Sequence, residues 1–235
     1  MPYTSPARNK LFIHIPKNGG KFIEDRYGMS DNPFVSTNMK NRSLLSKIAR
    51  SIIKLDRRRQ RVAYCQLKGM LDIGLVTQHL TLMEMQLLDL APRDIGKLKV
   101  FTVIRHPYSR MLSLFGHHHK GPEKNEEGFE KFCQEFTEEK STIDTKHNIL
   151  AHKRTQCEFI RDIYGLIPKT ICILRLENLK EGLKKLEEEM LLDPITQAIP
   201  TKKPNTTTSH LLTAEAKKMI QKRYQEDFNE FNYMP

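Results

Sequence analysis

Residues His14 to Phe22 read H-I-P-K-N-G-G-K-F, directly after the apolar residues Leu11 to Ile13. Two adjacent glycines let backbone amides come close to an anion, and a helix starting near Lys21 would turn its positive end toward that anion. Lys17 and Lys21 flank the turn as point charges. The spacing excludes the common mononucleotide loop, which needs G-x-x-x-x-G-K-[ST]. The residue five places before Gly20 is Ile15, and Phe22 stands where a hydroxyl would hold magnesium. A dinucleotide G-x-G-x-x-G is also absent. Pro16, Lys17, Asn18, Gly19, Gly20, Lys21 and Phe22 are therefore expected to hold an anion without a metal.

A second group runs from Arg105 to Ser113, R-H-P-Y-S-R-M-L-S, after the β-branched run Val100–Ile104. A guanidinium at a strand end and a hydroxyl in the following helix suit a second phosphate, since the planar fork of Arg matches phosphate geometry. Together the two loops would hold both ends of a doubly phosphorylated adenosine. His117, His118 and His119 invite a metal reading, but successive helical side chains point in different directions. They are expected to form a solvated or acceptor-facing tip, and no metal site is expected. Arg154, Gln156 and Arg161 are candidates for facing an acidic sugar, with a plain helix surface the slightly favoured account.

Those loops need a frame. Leu11–Ile15, Val100–Ile104 and Thr170–Leu174 read as buried strands, with Gly74–Leu80 a weaker candidate. Helical patterns fall at Thr81–Leu90, Ser109–His117, Glu126–Lys140, Asn178–Met190 and Ala214–Phe231. Alternating strands and helices predict an α/β fold, a three-layer P-loop-like domain with a mainly parallel sheet flanked by helices. Ligands in such sheets sit beyond the carboxyl ends of the strands, so the loops after Ile15 and Ile104 are expected at one site. No long linker divides the chain, and residues 1–235 are taken as one domain. Within it, residues 40–61 carry nine basic residues against Asp56 and predict a basic amphipathic helix.

Net charge is +11, from 39 basic and 28 acidic residues. Such an excess favours polyanions: nucleic acid, anionic lipid, acidic glycans or a multiply phosphorylated ligand. The four cysteines are scattered without a C-x-x-C pair, so free thiols in buried or half-buried positions are expected. No apolar run of membrane-spanning length occurs, and the N-terminus lacks an adequate apolar signal segment. The expected location is cytoplasmic or otherwise soluble and intracellular, or the Golgi lumen if an N-terminal anchor was removed.

The segments F-I-H-I-P-K-N-G-G-K-F and F-T-V-I-R-H-P-Y-S-R-M-L-S-L-F resemble the carbohydrate sulfotransferases that use PAPS (3'-phosphoadenosine 5'-phosphosulfate). The similarity is to the Golgi-type group that includes heparan sulfate 2-O- and chondroitin sulfotransferases. It extends to Gln78-His79, to Leu174–Leu183 and to Tyr224–Tyr233. The chain departs from the group's pattern at Asn18 and Lys21, where the relatives carry threonine, and at Gln78, where many have glycine.

The resemblance implies in-line transfer of a sulfuryl group from PAPS to a carbohydrate hydroxyl, the acceptor expected to be acidic and nucleic acid not expected as a partner. It makes Lys17 the catalytic cation and His79 the general base, with Glu84 and Asp72 as fallback bases. The amides of Asn18–Phe22 would hold the 5'-phosphate, and Arg105 and Ser113 the 3'-phosphate. Lys203, Asn205 and Ser209 lie in a segment that would close over the nucleotide. Two other classes stay open: a P-loop-like nucleotide kinase, and a non-catalytic binder of glycan or nucleic acid on the same fold.

Overall fold

The computed structural model describes residues 10–27, 79–87, 91–119, 124–137, 151–190 and 206–235. The basic stretch 40–61, Asp72, Cys65, Lys203, Asn205 and most of the weaker strand candidate lie outside them.

Three strands, β1 (Lys10–Ile13), β2 (Lys99–Ile104) and β3 (Ile171–Arg175), form a parallel sheet in the order β1-β2-β3. Leu11 pairs with Val100, and Val100 with Ile171, so the strand ends lie side by side. β1 is shorter than its apolar run suggests: His14 and Ile15 have left the ladder before Pro16 turns the chain.

Alternation along the strands sorts side chains onto two faces. Leu11, Ile13, Val100, Ile104 and Ile171 join the larger core, under helices α2 (Leu82–Leu87), α3 (Pro107–His118), α4 (Glu126–Thr137), α5 (Gln156–Ile160), α7 (Ala214–Arg223) and α8 (Gln225–Glu230). Phe12, Phe101, Val103 and Leu174 face the other way, against α1 (Gly20–Arg26) and α6 (Leu179–Met190). In α6 the buried Leu179, Leu183 and Leu186 recur at helical spacing and lie on that face. Helices on both faces of a parallel sheet make the three-layer α/β arrangement expected of the sequence.

Two differences from the sequence reading matter for the site. The last helical pattern is broken at Tyr224 (φ −110°, ψ 25°), whose buried ring lies near the Arg110 guanidinium. The break gives α8 its own axis and brings Asp227 to the start of α5. α5 itself was not foreseen, although Thr155-x-x-Glu158 is a capping box: Thr155 Oγ1 accepts from the Glu158 amide (3.1 Å), and Glu158 Oε2 from the Thr155 amide (2.5 Å).

Candidate anion-binding site

The first loop leaves β1 at His14 and enters α1 through two left-handed residues, Lys17 (φ 68°) and Gly19 (φ 80°). Gly19 suits that conformation; lysine does not, and holding it there costs roughly 1–2 kcal/mol. Gly20 is required by contact: a Cβ there would lie 2.0 Å from Nε2 of His14. The His14 ring is fixed from its other side by Glu24, whose Oε1 accepts from Nδ1 at 2.7 Å. No side chain caps α1, but the Gly19 carbonyl accepts from the amide of Phe22 (3.0 Å), so that amide is already used within the turn. The Phe22 ring packs on the apolar cluster beneath α1.

The second loop grips the first. Arg105 donates through Nη1 to the Lys17 carbonyl (3.2 Å), and Arg110 through Nε to the Pro16 carbonyl (3.3 Å). Arg110 is buried and also donates to the Arg154 carbonyl (2.9 Å). His106 caps α3, its Nδ1 accepting from the Tyr108 amide, while its Nε2 donates to the carbonyl of Met234 near the chain end.

Gln156 locks both loops together. Its Oε1 accepts from Nδ2 of Asn18 (2.6 Å) and from the Arg105 amide (2.9 Å), and its Nε2 donates to the Arg105 carbonyl (2.8 Å). The sequence reading that put Gln156 on a surface or toward a sugar is corrected here: the residue is fully buried. Arg154 and Arg161 are likewise paired, with Glu84 and Glu226. Asp227 secures Gln156 in turn, accepting from its backbone amide (2.8 Å) and from that of Cys157 (3.0 Å) at the positive end of α5. Burial pushes the Asp227 carboxyl up, while Arg110 and these amides pull it down. Asn18 donates a further bond to the Val103 carbonyl (2.9 Å), so its side chain holds the loop to β2.

Lys17 and Arg105 therefore share one sheet edge, both partly buried. Burial, and then the neighbouring Arg105, lower the Lys17 ammonium from its ordinary value; no carboxylate is among the described groups that shift it. Burial also lowers Arg105, with Glu177 opposing and Arg110 adding to the effect. Two cations crowded in this way are relieved by an anion. Ser113 sits on the second turn of α3, half-buried, and Lys21 is exposed on the first turn of α1. Ser209 is exposed in the short 3-10 turn Thr206–Leu211.

His79 lies beside the same loop. Its Nδ1 donates to the His14 carbonyl (3.3 Å), which places the basic lone pair on Nε2. Its ring meets His14 edge-on at 4.7 Å and stands 5.8 Å from that of His152. The fallback base Glu84 is held by both Arg154 Nη atoms (2.9 and 2.6 Å) and by the start of α2, where its Oε2 accepts from the Thr81 amide.

Beyond His79 the imidazoles continue, and here the sequence reading is again corrected. His117 and His118 do not diverge; both converge on His152, at ring separations of 5.5 and 4.9 Å. Burial, then the charges of His118, His117, Arg110 and Lys17, lower His152 to about 3, and burial also lowers His118. The unfolded chain, with an ordinary histidine near 6.5, binds protons that the fold refuses. This part of the stability is present above about pH 6.5 and is lost as pH falls toward about 3. Denaturation midpoints measured from about pH 7.5 down to about pH 5 should therefore fall, and fall less steeply in His152→Asn.

The three free thiols among the described residues behave as expected, Cys133 and Cys157 buried and Cys172 half-buried, all raised chiefly by burial. No helix among the described residues is long and apolar enough to cross a membrane.

No curated protein and no solved structure matches the chain. The model of the Sulfotransferase family matches residues 79–234, which include His79, the second loop, Gln156 and Asp227 but not the first loop.

Proposed function

Since the chain belongs to the sulfotransferase family, we propose that it moves the sulfuryl group of PAPS to a hydroxyl of an acidic carbohydrate. The observation that carries this reading is that Arg105 holds the Lys17 carbonyl and crowds its ammonium at one sheet edge, with no carboxylate among the described residues that shift Lys17. That donor set fits a ligand with phosphate at both ends. PAPS, when bound, would supply a sulfuryl group on a phosphate oxygen able to leave as PAP, the 3',5'-bisphosphate.

In this reading Lys17 stabilises the negative charge that grows on the bridging oxygen as its bond to sulfur breaks, and the new bond runs from sulfur to the acceptor oxygen. The amides of Asn18, Gly19, Gly20 and Lys21 would face the 5'-phosphate, the Phe22 amide being used within the turn, and Arg105 with Ser113 would face the 3'-phosphate. His79 Nε2 takes the proton of the attacking hydroxyl, contributing about 10²–10⁴-fold. Lys203, Asn205 and Ser209 would be further contacts to the nucleotide. Most of the acceleration comes from position and fixed charge. The net charge of +11 and the basic stretch 40–61 favour an acidic acceptor. A nucleotide kinase would want a hydroxyl after Lys21, where the partly buried Phe22 ring packs against the apolar cluster under α1.

Calorimetric titration with PAP, ADP and 5'-AMP, with and without magnesium, tests the proposal. PAP should bind ahead of both and without metal, and radiolabelled sulfate should then pass from PAPS to a glycan. Magnesium-dependent ADP binding would turn the reading to a kinase. Binding of acidic glycan with no nucleotide affinity would leave a non-catalytic polyanion binder.

A further inference from the structure

The histidines beyond the anion site have an arrangement that sulfuryl transfer does not use. His117 and His118 end α3, while His152 comes from a segment 34 residues past His118, yet one ring nitrogen from each lies within 4.8 Å of the other two. We propose that His117, His118 and His152 bind one borderline transition-metal ion of the zinc, cobalt or nickel type, leaving a coordination position for water. This inference stands apart from the reading of Lys17 and Arg105.

The geometry is near that of a three-histidine site. Nε2 of His118 and Nδ1 of His152 are 2.7 Å apart, sharing a hydrogen bond. Metal–nitrogen bonds of about 2.0–2.1 Å in a tetrahedron separate ligand nitrogens by about 3.3 Å. The bonded pair must open by about 0.6 Å and the third nitrogen close by at most about 1.5 Å, which side-chain torsions supply. The proton between the pair passes to the outer nitrogen of its own ring, so no co-reactant is needed.

Burial is graded across the cluster. His152 is buried, His118 half-buried and His117 exposed, giving a fixed floor and an open mouth. Phe132 and Phe136 stand against the His118 ring, at 6.4 and 5.5 Å, and restrict its plane.

The donor set, not the local charge, decides which ion is favoured. His117 and His118 occupy the last turn of a twelve-residue helix, whose negative end attracts a cation. Lys17 and Arg110, the charged side chains bearing on His152, oppose it. A hard ion such as magnesium or calcium, which needs oxygen ligands, gains nothing here. A borderline ion forms strong bonds to neutral imidazole and overcomes the opposing charge.

The test uses the full chain without an affinity tag, freed of metal and titrated with zinc by calorimetry and with cobalt by visible absorption. One ion per chain is expected, with the intense cobalt bands of a four-coordinate site. Even loss of an outer partner costs metal sites about 10–100-fold, so His117→Ala and His118→Gln should each weaken binding by at least about tenfold. His117 is exposed, so its variant keeps the fold, and His210→Ala, an exposed histidine outside the cluster, serves as control. Absence of zinc binding, unchanged affinity in either cluster variant, an equal loss in His210→Ala, or equal affinity for magnesium would each overturn the proposal.

Discussion

Replacing Lys17 with alanine is expected to lower sulfuryl transfer by about 10²–10³-fold, the usual loss when a single transition-state charge contact is removed. PAP affinity should fall less than tenfold, since a cation acting on a leaving oxygen is worth most when charge develops there. Arg105→Ala should show the opposite balance, with PAP affinity falling further than in the Lys17 variant, because guanidinium contacts to a phosphate persist in the ground state. Single-turnover rates and calorimetry on the two proteins check this; equal losses of affinity would remove the division of roles.

A companion variant separates function from folding. Lys17 holds φ at 68°, where glycine is at ease. Lys17→Gly should relieve that strain, by roughly 1 kcal/mol less the entropy glycine adds to the unfolded chain, while transfer is lost as in the alanine variant. A protein at least as stable as the parent, yet inactive, would mark Lys17 as a residue kept against its backbone preference. A clear loss of stability would instead mean that the ammonium holds the loop.

Gln156→Leu should have the largest effect on the fold. Leucine fills a similar volume but removes three hydrogen bonds, leaving the amide and carbonyl of Arg105 without their partner and Asn18 with only the Val103 carbonyl. Buried polar groups left unpaired cost about 1–3 kcal/mol each, so a loss of about 3–5 kcal/mol is expected, a large share of a typical domain's stability. With the clamp gone, Lys17 and Arg105 lose their mutual register. A displacement near 1 Å costs about 10²-fold in rate, so transfer should fall in the molecules that remain folded. Urea denaturation and saturating-donor rates check both parts. Unchanged stability would show that the loops are held elsewhere.

The sequence by itself determined the layers and the edge. Three short apolar runs separated by helical periodicities point to a mainly parallel sheet flanked by helices. Arg105 marks where β2 stops, and Pro16 with the glycine pair marks the turn that carries the chain from β1 into α1. These are local signals, carried by residue type and by spacing within about ten positions. The same is true of Thr155-x-x-Glu158, a helix start written in four consecutive residues.

What only the tertiary structure decided are the contacts between distant segments. Asn18 meets Gln156 across 138 positions, and Gln156 meets Asp227 across 71. A glutamine on a short helix and an aspartate near the chain end look like surface residues, since nothing nearby in sequence shows that both are buried. The histidines teach the same lesson. Adjacent residues on one helix diverge as a rule, and it took His152 from another segment, entering beside the last turn of α3, to bring His117 and His118 to one point. Burial and long-range pairing are properties of the packed chain, so the sequence placed the two loops while the fold alone assembled what holds them together.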